Sequence, residues 1–95
     1  MQIKHKETGS KGLFFVGQED TMLAEMTYTR PAPDKIIIDH TEVNDELRGK
    51  NIGYQLVQAA VDYARTNNIK IIPLCPFAAA VFKKRPEFND VLSNH

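Results

Sequence analysis

The chain has a single cysteine, Cys75, no net charge and no long apolar run. One thiol cannot build an internal disulfide framework, and no Cys/His spacing suggests structural zinc, so no metal ligands are read from the sequence. Twelve basic and twelve acidic residues cancel. That balance leaves no broad field for gripping nucleic acid or an anionic membrane, and any bound anion must be held by a local arrangement of donors. Apolar stretches fall far short of the ~20 residues that a membrane helix requires. The start, Met1-Gln2-Ile3-Lys4-His5-Lys6, lacks the apolar segment of a secretory signal, so a reducing cytoplasm is the expected setting. No repeat or linker divides the sequence, and 95 residues have room for one domain, 1–95.

What is present reads as strands first and helices second. Gly12 to Gln18 contains the β-prone run Leu13-Phe14-Phe15-Val16, followed by the turn chemistry of Gly17-Gln18-Glu19-Asp20. From Thr21 to Arg30, Met22, Ala24, Met26 and Tyr28 alternate with Leu23, Glu25, Thr27 and Thr29, the pattern of a half-exposed strand that Pro31-Ala32-Pro33-Asp34 should break. Lys35 to Val43 resumes as a third strand, and Gln2 to Lys6 offers an edge strand. Short connections make the set an antiparallel meander. The period then changes. Ile52, Leu56, Ala60 and Tyr63-Ala64 recur as one face of an amphipathic helix stopped by Asn67-Asn68. Ile69 to Leu74 reads as a short buried strand, and Pro76 suits the first turn of a helix that runs to Pro86. A strand, a crossover helix and a further strand imply one parallel pairing beside the meander, so the expected class is α+β. Phe14, Phe15 and Phe77 are most simply core residues.

The junction Asn44-Asp45-Glu46-Leu47-Arg48-Gly49-Lys50-Asn51-Ile52-Gly53-Tyr54 joins a strand end to a helix N-terminus. Backbone N–H groups there have no intrahelical partner and can hold a phosphate. Gly49 and Gly53 would allow a ligand close to the backbone, and Arg48 and Lys50 add positive charge. Plain turn chemistry is the competing reading of the same residues.

Arg48-Gly49-Lys50-Asn51-Ile52-Gly53 resembles the pyrophosphate loop of the GNAT superfamily of N-acetyltransferases, Arg/Gln-x-x-Gly-x-Gly/Ala. His40-Thr41-Glu42-Val43, Pro73-Leu74-Cys75-Pro76-Phe77 and Arg85-Pro86-Glu87-Phe88 are similar to the smallest, YjdJ-like branch of that superfamily. The resemblance covers nearly the whole chain. It implies a minimal GNAT fold, in which a β-meander adjoins a β-α-β unit with splayed parallel strands and a C-terminal helix. It also implies acetyl-CoA as the cofactor. Carried over, Glu42 and Val43 offer backbone groups to pantetheine, while Arg48, Gly49, Lys50, Asn51, Ile52, Gly53 and Tyr54 surround the pyrophosphate and Phe77 walls the pantetheine arm. Asn51 departs from the pattern, standing where the middle glycine is expected.

Three residues are candidates for the chemistry. Cys75 precedes a helix start, where the dipole favours a thiolate, and the resemblance places it near the acetyl group. It would accept and pass on the acetyl, unless it packs as a small hydrophobe. His40 and Glu42 share a strand face by period-two spacing and suit proton removal from an ammonium acceptor, unless they are a polar pair at a strand end. By the same spacing Asp39 and Thr41 face the other way. Phe82 stands where many active relatives carry a tyrosine that protonates the leaving thiolate, and it has no hydroxyl. Lys83, Lys84 and Arg85 complement the carbonyl end of the last helix, with a contact to the adenosine 3′-phosphate or a product-like anion as the alternative. The expected activity is acetyl transfer to an amine, either a small amine or a protein lysine. A non-catalytic acetyl-CoA-binding or sensing module is the alternative.

Overall fold

A computed structural model describes residues 2–93. Five strands lie in the order β1-β2-β3-β4-β5: β1 Lys4–Thr8, β2 Lys11–Gln18, β3 Thr21–Ala32, β4 Lys35–Val43 and β5 Lys70–Pro73. The first four pair antiparallel, and β5 joins β4 in parallel through the crossover helix α1, Ile52–Asn67. Helix α2, Pro76–Lys84, follows β5, and after a 3-10 segment, Pro86–Val91, Leu92 forms a parallel bridge to Ile71. The expected α+β class and meander are therefore found.

Several boundaries differ from expectation. Pro31 does not end its strand, because the ladder becomes irregular between Thr29 and Ala32 and a residue without an N–H is tolerated there. The edge strand begins at Lys4 rather than Gln2. The predicted 69–74 strand shortens to Lys70–Pro73, leaving Leu74 exposed.

Both helices pack on one face of the sheet. Ile52, Leu56, Val57, Ala60, Val61 and Ala64 form the buried stripe of α1, against Phe14, Met26, Tyr28, Ile36 and Ile38 of the strands and Ala78 and Phe82 of α2. Helix α1 ends where Asn68 takes a left-handed conformation (φ 55°), with its N–H donating to the Ala64 carbonyl. No helix among the described residues is long and apolar enough to cross a membrane.

At the end of the sheet away from the α1 N-terminus, a polar network unanticipated from sequence surrounds Tyr28. Its hydroxyl donates to Glu7 Oε2 (2.8 Å), so His5 Nε2, 2.6 Å away, must be the donor to the Tyr28 oxygen. Arg30 completes the set, donating to Glu7 (3.1 Å) and to the Tyr63 hydroxyl (3.0 Å). Burial, reinforced by the hydrogen bond to Glu7, pushes the Tyr28 phenol far above its ordinary range. Burial holds the His5 imidazole below its own.

Candidate active site

The site begins where two parallel strands part. β4 and β5 pair only from Lys35↔Lys70 to Ile38↔Pro73. There the Ile38 carbonyl accepts from both Leu74 N (2.9 Å) and Cys75 N (3.0 Å), and beyond it β4 keeps only its β3 neighbour. The β5-facing edge of the last β4 residues is thus open to a strand-like ligand.

A bulge decides which side chains reach this gap. Tyr28 opposes Ile38 whereas Thr27 opposes His40, so Asp39 is an inserted residue. One extra residue reverses the parity of all that follow. Thr41 and Val43, opposite Met26 and Ala24, therefore continue the helix-facing side of Ile36 and Ile38. His40 and Glu42 do share a face, with Nε2 and Oε1 3.4 Å apart, but both are exposed and lie on the helix-free side. Asp39 and Thr41 do not face the same way as each other, contrary to expectation. Asp39 accepts from Thr27 Oγ1 (2.5 Å), while Cys75 Sγ donates to Thr41 Oγ1 at 3.3 Å. Cys75 is buried as the N-cap of α2, and it hydrogen-bonds neither His40 nor Glu42.

The second component is the entrance to α1. Asn44 accepts from Glu46 N (2.9 Å) to start a 3-10 turn, Asp45–Leu47, which buries Leu47. Gly49 (φ 82°) and Asn51 (φ 58°) then take left-handed conformations. Asn51 thus meets the backbone demand that the usual glycine meets, because asparagine tolerates this region better than other side-chain-bearing residues. The Asn51 carbonyl accepts the first α-helical bond, from Gln55 N (3.0 Å), but its side chain caps nothing. The N–H groups of Ile52, Gly53 and Tyr54 precede that bond and donate to no described residue. Replacing Asn51 with alanine is expected to cost about 1 kcal/mol from the left-handed backbone. Glycine there should be neutral within a few tenths, and urea unfolding of the two variants checks the contrast.

Between this turn and α2 lies a cleft of about 460 Å³. Val43, Leu47, Arg48, Gly49, Asn51, Ile52, Gly53 and Tyr54 line one side, and Phe77, Val81, Lys84 and Arg85 line the other. Of the residues expected to hold the cofactor, Glu42 and Lys50 do not line it. Phe77 is not core but a half-exposed wall, and its ring closes so tightly on Gly53 that a Cβ there would lie 2.5 Å from Cζ. The sequence favours the helix end as the role of Lys84 and Arg85 over an anion contact, and it places Val81 in the helix interior. Their spacing from Phe77 puts all on one face of α2, but which face meets a cleft is a tertiary fact. Phe82 points the other way, into the core, with its ring centroid 5.9 Å from that of Phe88.

The profile of the GCN5-related N-acetyl-transferase family matches residues 13–91. A GCN5-like candidate N-acetyltransferase from Staphylococcus aureus, solved in solution by NMR, is 41% identical. That alignment covers 97% of this chain and 92% of the other, with a TM-score of 0.72. A ribosomal-protein-alanine N-acetyltransferase from Brucella melitensis shares the fold at 16% identity (TM-score 0.60, covering 90% of this chain and 65% of that one). So does a GNAT-family acetyltransferase from Elizabethkingia anophelis with acetyl-CoA bound (16% identity, TM-score 0.53, covering 65% and 41%). No curated protein sequence matches significantly. The chain belongs to the GCN5-related N-acetyltransferase family, whose acetyl donor is acetyl-CoA.

Proposed function

We propose that the protein transfers the acetyl group of acetyl-CoA to an amine through a thioester on Cys75. The observation that carries this reading is the Cys75–Thr41 contact at the head of the cleft. Val43 and Phe77 line the cleft, and two residues from each, Thr41 and Cys75 meet at 3.3 Å where β4 and β5 part. The residues present fit the cofactor. The free N–H groups of Ile52, Gly53 and Tyr54, with the Gly49–Asn51 turn and Arg48, suit a pyrophosphate. The open edge at Glu42 and Val43 suits an amide-bearing pantetheine arm, with Phe77 as its apolar wall.

In the first step Cys75 Sγ attacks the thioester carbonyl. The bond from carbon to Sγ forms as the bond from carbon to the CoA sulfur breaks, and the thiol proton passes to that sulfur by way of the Thr41 hydroxyl. Exchange of an acyl group between two thiols is proton-neutral, so this step needs no tyrosine acid. A phenylalanine at position 82, turned into the core, is then no handicap. In the second step an amine that has given one proton to solvent attacks the acetyl-cysteine carbonyl. The amide bond forms, the bond to Sγ breaks, and the second amine proton returns to the sulfur. The acceptor class is a small amine or a protein lysine. One observation favours the alternative, a module that binds or stores acetyl without turnover: Cys75 is only 5% exposed, which restricts a bulky acceptor.

Incubation with acetyl-CoA alone, followed by intact mass measurement under denaturing conditions, is expected to show one added acetyl on the wild type and none on Cys75→Ala. A thermal shift should report binding in both. Absence of the adduct on wild type that still binds would return Cys75 to a packing role. An adduct that no amine discharges would favour the storage reading.

A further inference from the structure

Cys75 and Thr41 come from different elements, yet both depend on the same few residues of β4. The Ile38 carbonyl accepts from Cys75 N at 3.0 Å and so fixes the backbone of the cysteine. Asp39, the next residue, is the insertion that turns Thr41 toward the helices. The Ile38–Asp39 peptide thus holds the thiol on one side and aims the hydroxyl on the other. Its own placement is not fixed by the ladder. An inserted residue has no cross-strand partner, and an insertion at His40 instead of Asp39 would still leave Thr41 opposite Met26, with the strand bent elsewhere. Two contacts pin the observed placement. Before the insertion, Ile38 opposes Tyr28, whose ring is buried and whose hydroxyl is fastened to His5 and Glu7. After it, His40 opposes Thr27, and the Thr27 hydroxyl donates to Asp39 Oδ1 at 2.5 Å. Aspartate is disfavoured in strands, but here its carboxylate accepts a charge-assisted bond that ties the unpaired residue to β3. Neither Thr27 nor Asp39 lines the cleft.

We propose that Thr27 and Asp39 are positioning residues: their hydrogen bond on one side of the sheet pins the β4 bulge, and through it holds Cys75 and Thr41 in register on the other. This rests on the reading of Cys75 as the thiol that takes up the acetyl group. Acyl exchange between two thiols needs Sγ, the carbonyl carbon and the Thr41 hydroxyl aligned, and a displacement of ~1 Å can cost about a hundredfold in rate. A bulge free to shift along β4 moves the Ile38 carbonyl and the Thr41 hydroxyl together, while the α1 entrance that suits the phosphates stays where it is.

The rate of Cys75 acetylation by acetyl-CoA, followed by intact mass, and the affinity for CoA, taken by calorimetry, separate positioning from binding. Thr27→Val keeps the shape of the side chain and removes the donor. It is expected to slow acetylation about tenfold and to leave CoA affinity unchanged. Thr27→Ser, which restores the hydroxyl, should recover the wild-type rate. Thr29→Val, a like change opposite Ile37 on the same strand, should keep it. In a Thr41→Val background Thr27→Val should lose most of its effect, because it acts through that contact. An undiminished effect in that background, a slow Thr27→Ser, or an unslowed Thr27→Val would overturn the assignment. A wild type that binds CoA without acetylating Cys75 would instead remove the acyl-carrier reading, and iodoacetamide then probes the pair directly. Thr27→Val should raise the alkylation rate of the buried thiol several-fold and Thr27→Ser should not, whereas equal rates in all three proteins would overturn the pair as well.

Discussion

Gly53→Ala is expected to reduce acetyl-CoA affinity by at least about tenfold, equivalent to 1.4 kcal/mol, while leaving the fold nearly as stable as before. A Cβ at position 53 would stand 2.5 Å from Phe77 Cζ and 2.8 Å from Cε2, closer than real contacts allow. The atoms it meets are the far end of a half-exposed ring, so Phe77 can swing aside. Alanine in place of a helical glycine returns about 0.5–1 kcal/mol, which offsets the cost of that movement. Binding has no such offset. The new methyl group stands beside the free N–H of Gly53, and the displaced ring loses its place along the cleft. Melting temperature of the apo protein and calorimetric affinity, taken on the same samples, separate the two effects. Intact affinity with a shifted Phe77 would mean that the α1 entrance does not hold the phosphates.

The elements were legible in the sequence because each obeys a local rule. The alternation from Met22 to Tyr28 and the stripe from Ile52 to Ala64 needed no tertiary information, and Asn67-Asn68 stopped α1 by the left-handed backbone that asparagine accepts. What stayed hidden was decided by pairing between distant segments. Nothing in Ile38-Asp39-His40 announces a bulge. The inserted residue exists only relative to Thr27 and Tyr28 on β3, yet it alone determines that Thr41, not His40 or Glu42, meets Cys75. Of the two readings of Phe77, core residue and wall of the pantetheine arm, its exposure at the cleft removes the first, because apolar character favours burial without requiring it. Lys84 and Arg85 satisfied a local explanation, the helix dipole, which outweighed an anion contact until the fold placed both on the cleft. The phosphate turn lay between these cases. Asn51 departs from the expected glycine in identity, but its positive φ keeps the same backbone requirement.

A second glycine, remote from the cleft, should have the larger effect on stability. Gly12→Ala is expected to cost about 3 kcal/mol, at the upper end for overpacking, because its Cβ would lie 2.4 Å from both Cζ and the hydroxyl oxygen of Tyr28. Gly12 and Tyr28 are directly opposed on β2 and β3. Unlike Phe77, the Tyr28 ring cannot move aside. It is 1% exposed, its hydroxyl is fastened to His5 and Glu7, and Phe14 packs against it at 5.7 Å. For a domain of this size that loss corresponds to a fall in Tm of roughly 12–24 °C. A double-mutant cycle isolates the cause. In a Tyr28→Leu background, which removes the phenol end of the ring, Gly12→Ala should become nearly neutral, because alanine is no worse than glycine in an unobstructed strand. The same penalty in both backgrounds would place the requirement for Gly12 in the backbone, and the contact with Tyr28 would then be incidental. The two glycines thus differ in what opposes them: a yielding ring at a ligand cleft, and a ring locked in a hydrogen-bonded core.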